Sequence, residues 1–203
     1  MDKSISTRTL PPNYILGGTI DLAKDRRMLV LLNIAGLGLF LISAWVFSWL
    51  AVTIRPSIAD RVFSFSSGNL SGLIWSLVWM LVITVGMLVL HETVHGILFW
   101  IFTANRPRFG FRGYYAFAAA PEWYILRRFY LIVALAPAVL ITFIGIGAIF
   151  LVTEDMLLGL LFLMVANFSG SVGDMMVVFW LLRKPEATLV QDSGDRVCFY
   201  LPA

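Results

Sequence analysis

The chain has 203 residues, of which 60% are hydrophobic and 13% charged, with a net charge of +3 and a mean hydropathy of +0.87. Soluble domains carry about 25% charged residues, so the composition excludes an ordinary soluble domain and points to an integral membrane protein in a lipid bilayer. The basic residues collect at the ends of apolar spans, which excludes a nucleic-acid partner, and the single cysteine, Cys198, excludes an internal disulfide or a multi-cysteine metal site.

Residues 1–27 read as a cytoplasmic flank. Leu10-Pro11-Pro12 is a turn or extended entry, Tyr14 to Leu22 is short interfacial structure, and Lys24, Arg26 and Arg27 abut the membrane. These mostly polar residues do not form a secretory pattern, and the apolar run that follows is too long for a signal h-region. The first span is expected over 28–54, closed by Arg55-Pro56, with a polar loop through Asn69 that includes Ser64, Ser66, Ser67 and Gly68.

The second apolar run, 70–104, is 35 residues long, about 52 Å as a helix against about 30 Å of hydrocarbon. It must tilt, protrude or break, and Gly86 is the expected weak point. Between Arg106 and Arg128, Phe109 and Phe111 alternate with other residues ahead of the aromatic run Tyr114 to Phe117, a pattern that predicts a β-hairpin at the membrane surface. The third span is expected over 129–152 with Pro137 as a kink or packing site, and the fourth over 156–182 after the acidic turn Thr153-Glu154-Asp155. The tail, 183–203, reads as a hairpin around Gln191 to Arg196.

Most basic residues fall in the N-terminal flank, the 105–128 loop and the tail, so the positive-inside rule places both termini in the cytoplasm. The expected fold is all-α and membrane-integral: four transmembrane helices, a small membrane-surface β-hairpin and short cytoplasmic flanks. Its divisions are a flank over 1–27, a four-span membrane domain over 28–182 and a cytoplasmic tail over 183–203.

Within the second run lies His91-Glu92-Thr93-Val94-His95-Gly96, which contains the only two histidines of the chain. Residues four apart on a helix share a face, so both imidazoles can reach one metal ion. Glu92 sits beside them, placed to take a proton from water. Such groups cost about 2.5–3.5 kcal/mol each when unpaired at a bilayer centre, which argues against two packing histidines and a stray acid.

A catalytic zinc usually has three protein ligands and one open position. With no third histidine and no cysteine nearby, the third ligand should be a carboxylate, and Asp174 is the one other ionisable residue deep in a span. His95 lies 11 residues before Arg106, about 16 Å of helix, and Asp174 nine before Arg183, about 14 Å, so the two share a depth. A divalent zinc with Asp174 and Glu92 sums to zero charge, which lowers the cost of burying the acids. Glu122 and Glu154, in loops, are the alternative ligands. Asn167, one helix face with Asp174, reads either as a substrate-binding amide or as an interhelical hydrogen bond. The tryptophans read as membrane anchors.

The motif at His91 to Gly96, the Arg-Phe-Gly-Phe segment at 108–111, the late Gly173-Asp174, the 10–22 entry and the tail Asp192 to Arg196 together resemble a bacterial family of zincin membrane peptidases. More remotely the site resembles that of the site-2 proteases, although Phe168 follows Asn167 where those have proline, and Met175 follows Asp174 where they have glycine. The resemblance implies a zinc-dependent intramembrane or juxtamembrane endopeptidase of the bacterial cytoplasmic membrane. In it His91, His95 and Asp174 would hold one zinc ion and Glu92 would be the catalytic base. It also implies that residues 108–120, with Phe109 and Phe111, hold a membrane-protein or peptide substrate in extended form. The alternative is a non-catalytic, zinc-stabilised membrane adaptor or regulator. A transporter is disfavoured by four spans without a repeat, and a di-iron enzyme by the two histidines.

Overall fold

Four helices are long and apolar enough to cross a membrane: Arg26–Ile54, Leu70–Thr103, Arg127–Ile149 and the stretch Glu154–Leu182. We call the first three α1, α2 and α3; the fourth stretch is broken into α4, Glu154–Gly170, and α5, Val172–Leu182. The computed structural model describes residues 5–21, 25–60, 70–111 and 116–203. Leu22, Lys24, the loop residues Ser64 to Asn69, and Arg112 and Tyr114 of the aromatic segment lie outside the described residues.

The strand content corrects the all-α expectation. Seven strands are present among the described residues: β1 Ser6–Thr7, β2 Tyr14–Asp21, β3 Arg108–Phe111, β4 Ala116–Ala119, β5 Tyr124–Leu126, β6 Leu189–Asp192 and β7 Arg196–Pro202. β3 and β4 form the expected hairpin, and β6 and β7 the expected tail hairpin. The tail hairpin does not stand alone. It is the middle of an antiparallel five-stranded sheet in the order β1-β5-β6-β7-β2. The physical reason is edge satisfaction: unpaired strand edges leave N–H and C=O groups without partners, and the N-terminal segment covers the β7 edge through seven register pairs, from Tyr14↔Pro202 to Asp21↔Arg196. Gly17 permits it, since a Cβ there would overlap the Leu201 side chain at the bulge.

Of the tilt, protrusion or break expected of the second run, a break at Gly86 does not occur. α2 runs unbroken for 34 residues, about 51 Å. The interruption falls at Ser171, where the backbone N–H (3.0 Å) and Oγ (2.9 Å) both donate to the Asn167 carbonyl. Ser171 leaves helical geometry there, at φ −71° and ψ 6°, and the chain restarts as a new helix at Val172.

The chain divides into two compact units. The first comprises Met1–Asn33, His91–Pro137 and Gly173–Ala203. Its core joins the sheet to the helix ends through Ile20, Phe99, Ile125, Val133, Leu181 and Phe199. The second comprises Ile34–Leu90 and Ala138–Val172, with a core around Phe47, Ile149, Leu157 and Met164. There Arg55 Nη1 donates to the carbonyls of Ile149 (3.3 Å) and Val152 (2.7 Å), satisfying acceptors that a helix end leaves open.

Phe199 is fully buried and stacks on Trp180 at 6.1 Å. Its replacement by alanine is expected to cost about 3–5 kcal/mol in reversible unfolding in detergent micelles. Phe150→Ala, at a position 64% exposed, should stay within about 0.5 kcal/mol of the parent.

Candidate metal centre

Everything that converges at the motif belongs to the first unit. His91 and His95 are one turn apart on α2 and both buried, at 7% relative exposure. Asp174 comes from α5. The break at Ser171 makes it a first-turn residue of that helix, where the helix dipole favours a carboxylate.

The three side chains form a tight triangle. His91 Nε2 lies 3.2 Å from His95 Nε2 and 3.2 Å from Asp174 Oδ2, and His95 Nε2 lies 3.5 Å from Asp174 Oδ1. One ligand atom from each residue can be chosen so that all lie within 4.8 Å of one another. Zinc ligands at about 2.0–2.1 Å in a tetrahedron stand about 3.3–3.4 Å apart, so the spacing suits three corners of a zinc site.

The tautomer suits it too. His95 Nδ1 donates to the Val133 carbonyl at 2.9 Å, and a carbonyl has no proton to give. The ring proton therefore sits on Nδ1, and neutral His95 turns the lone pair of Nε2 toward His91 and Asp174. That is the outer-partner arrangement common to metal-ligating histidines. Two imidazole nitrogens and a carboxylate converging in this way are suited to a cation. The residues present fit zinc.

Glu92 points to the hairpin. Its Oε2 accepts the Ala118 backbone N–H at 2.7 Å. That amide therefore faces away from β3, so the Phe109↔Ala118 pair is one whose hydrogen-bonding groups point outward from the ladder. On one face of the hairpin the Phe109 ring lies over Gly96, where a Cβ would overlap it. On the other, the Phe117 ring covers Gly110 and Gly194, and the tail turn fits because Gly194 has φ +87° and no side chain. The turn is tied down by Asp192, whose Oδ1 accepts the Gly194 N–H at 2.7 Å and whose Oδ2 accepts the Tyr130 hydroxyl at 2.5 Å. Burial pushes the Asp192 carboxyl above the ordinary carboxylate range, against the opposing pull of these two donors.

Similarity to a known family decides the relationship. The family described as "Putative zincin peptidase" matches residues 84–189, just over half of the 203 residues, and the match contains the motif and Asp174. The chain belongs to this zincin family. No curated protein and no solved structure matches it. Membership in a zincin family implies zinc, and His91, His95 and Asp174 form a group that can hold it.

The other expected site residues are placed differently. Phe109 and Phe111 are 59% and 69% exposed on the hairpin, and Phe109 is the one that docks it to the motif helix. Asn167 is fully buried in the second unit, where its carbonyl takes the two Ser171 donors. Glu122 pairs with Arg108, and Glu154 begins α4 in the second unit. Sequence reasoning missed the Val133 carbonyl and the Ala118 amide, which as backbone groups leave no side-chain signature. It also missed the Tyr130–Asp192 pair; a tyrosine in a span's first turn and an acid in a tail turn were its visible signals.

Purified protein of this zincin family is expected to carry one zinc per chain. His91→Ala and Asp174→Asn should weaken zinc binding by more than about 100-fold, beyond the usual cost of losing an outer partner. Glu122→Gln should leave it unchanged, measured by competition with a chromophoric chelator.

Proposed function

We propose that this zincin-family protein is a zinc-dependent endopeptidase that hydrolyses peptide bonds of membrane-protein substrates within or beside the membrane. The observation that carries the reading is the triangle of His91, His95 and Asp174 with Glu92 next to it on the same helix. In this reading residues 28–182 are the four-span membrane domain, and the flank and tail lie in the cytoplasm of a bacterial cell. The basic residues near Arg26, Arg106, Arg127 and Arg183, at the corresponding ends of the spans, support that orientation.

His91 Nε2, His95 Nε2 and a carboxylate oxygen of Asp174 would hold the ion. Zinc there would supply a Lewis acid that acidifies water and polarises a carbonyl. Glu92 would do the proton work. With Oε2 held by the Ala118 amide, Oε1 would be the oxygen left to take a proton from the attacking water and return it to the leaving amine. The amide fixes the carboxylate's direction, so little reorientation is needed before transfer.

A helical substrate hides its carbonyls, so it must unwind before cleavage. In this reading an extended chain pairs with the β3 side of the hairpin, where Arg108, Phe109 and Phe111 are exposed, since the outward Ala118 N–H of β4 is already taken by Glu92. Phe109 and Phe111, exposed at that edge, would meet the side chains of the peptide.

The test is Glu92→Gln. It should retain zinc and lose about 10²–10⁴-fold in cleavage of a membrane substrate in reconstituted vesicles. Cleavage at the parent rate would overturn the mechanism. Zinc binding without any cleavage, together with an unaltered biological effect of Glu92→Gln, is the outcome that would favour a non-catalytic adaptor.

A further inference from the structure

In a continuous α-helix the carbonyl of residue 133 accepts the backbone N–H of residue 137. Here residue 137 is proline, inside α3, and it has no N–H to give. The proline ring also crowds the carbonyl four residues back and pushes it off the helix axis. That carbonyl belongs to Val133, the acceptor of the His95 Nδ1 proton at 2.9 Å. The coincidence is specific: within α3, Pro137 is the one proline, and the acceptor it releases is the one that His95 uses.

We propose that Pro137 is a positioning residue of the metal centre. By withholding the helical donor, it reserves the Val133 carbonyl for His95 and so fixes both the tautomer and the direction of Nε2. The inference rests on the zincin reading of the site, in which Nε2 of His95 is a ligand.

Any other residue at 137 restores the N–H. The helical bond then competes for Val133, and His95 loses the strength and angle of its outer hydrogen bond. The imidazole can then place its proton on Nε2, the atom needed for the metal. A proline with only a packing role makes a different forecast, since its replacement by alanine would improve the helix and leave the metal centre as it was. The two roles thus separate in one variant.

The experiment uses full-length Pro137→Ala in detergent beside the parent. Three properties are read: the melting temperature of the metal-free protein, zinc affinity by chelator competition, and the visible spectrum with cobalt(II) in place of zinc. We expect a melting temperature equal to or above the parent's, a zinc affinity about 10–100-fold weaker, and shifted cobalt bands. Parent affinity with an unshifted spectrum would overturn the proposal. If the parent itself takes up neither zinc nor cobalt, the metallopeptidase reading fails separately. The Pro137 inference is then decided by nitrogen-15 NMR of His95 in metal-free protein. The Nδ1–H tautomer should dominate in the parent and give way to a mixture in Pro137→Ala; the same tautomer in both would overturn it.

Discussion

Two imidazole nitrogens and a carboxylate held within 3.2–3.5 Å of one another, among helices built for an apolar medium, are the constraint on which the rest of this molecule depends. Two imidazole nitrogens that both turn lone pairs inward repel, and a partly buried carboxylate without a counter-charge is costly. A divalent cation removes both problems, and with Asp174 and Glu92 it leaves no net charge. The same demand explains the composition around it. Four ionisable groups sit in long apolar stretches, and they sit together.

Holding that triangle needs backbone as much as side chain. α2 supplies the histidines at the i, i+4 spacing, and α3 supplies the Val133 carbonyl that sets the His95 proton. The break at Ser171 starts α5 just ahead of Asp174 and so gives the acid a helix N-terminus. The hairpin β3–β4 adds the Ala118 amide for Glu92 and is gripped on both faces, by Gly96 through Phe109 and by Gly194 through Phe117. Asp192 and Tyr130 tie the Gly194 turn to the first turn of α3, one helical turn from Val133. The sheet is therefore more than a flank. It reaches the motif helix through the hairpin and α3 through the tail turn.

Much of the candidate site was legible because side-chain identity and helical periodicity carry it. The motif needed only its spacing. Asp174 followed from charge balance and from its equal distance to a basic boundary. The fold was less legible where partners are remote in sequence. β2 pairs with β7 across about the whole chain, and β5, with three residues, is too short to alternate visibly, so neither strand announces a five-stranded sheet. The interruption of the fourth span was not legible either. Gly86 is weak by propensity, yet α2 runs through it unbroken, whereas the interruption at Ser171 is a turn of backbone ψ to 6° that no side-chain pattern announces. Pro137 was visible as a kink, yet its consequence lay in which residue would take the carbonyl it frees.

X-ray absorption at the zinc edge of the purified protein tests the central claim most directly. Two imidazoles and oxygen scatterers at about 2.0–2.2 Å, with no sulfur near 2.3 Å, are the predicted shell. A sulfur contribution, a single imidazole, or zinc in a shell unaltered by Asp174→Asn would contradict the site built from His91, His95 and Asp174.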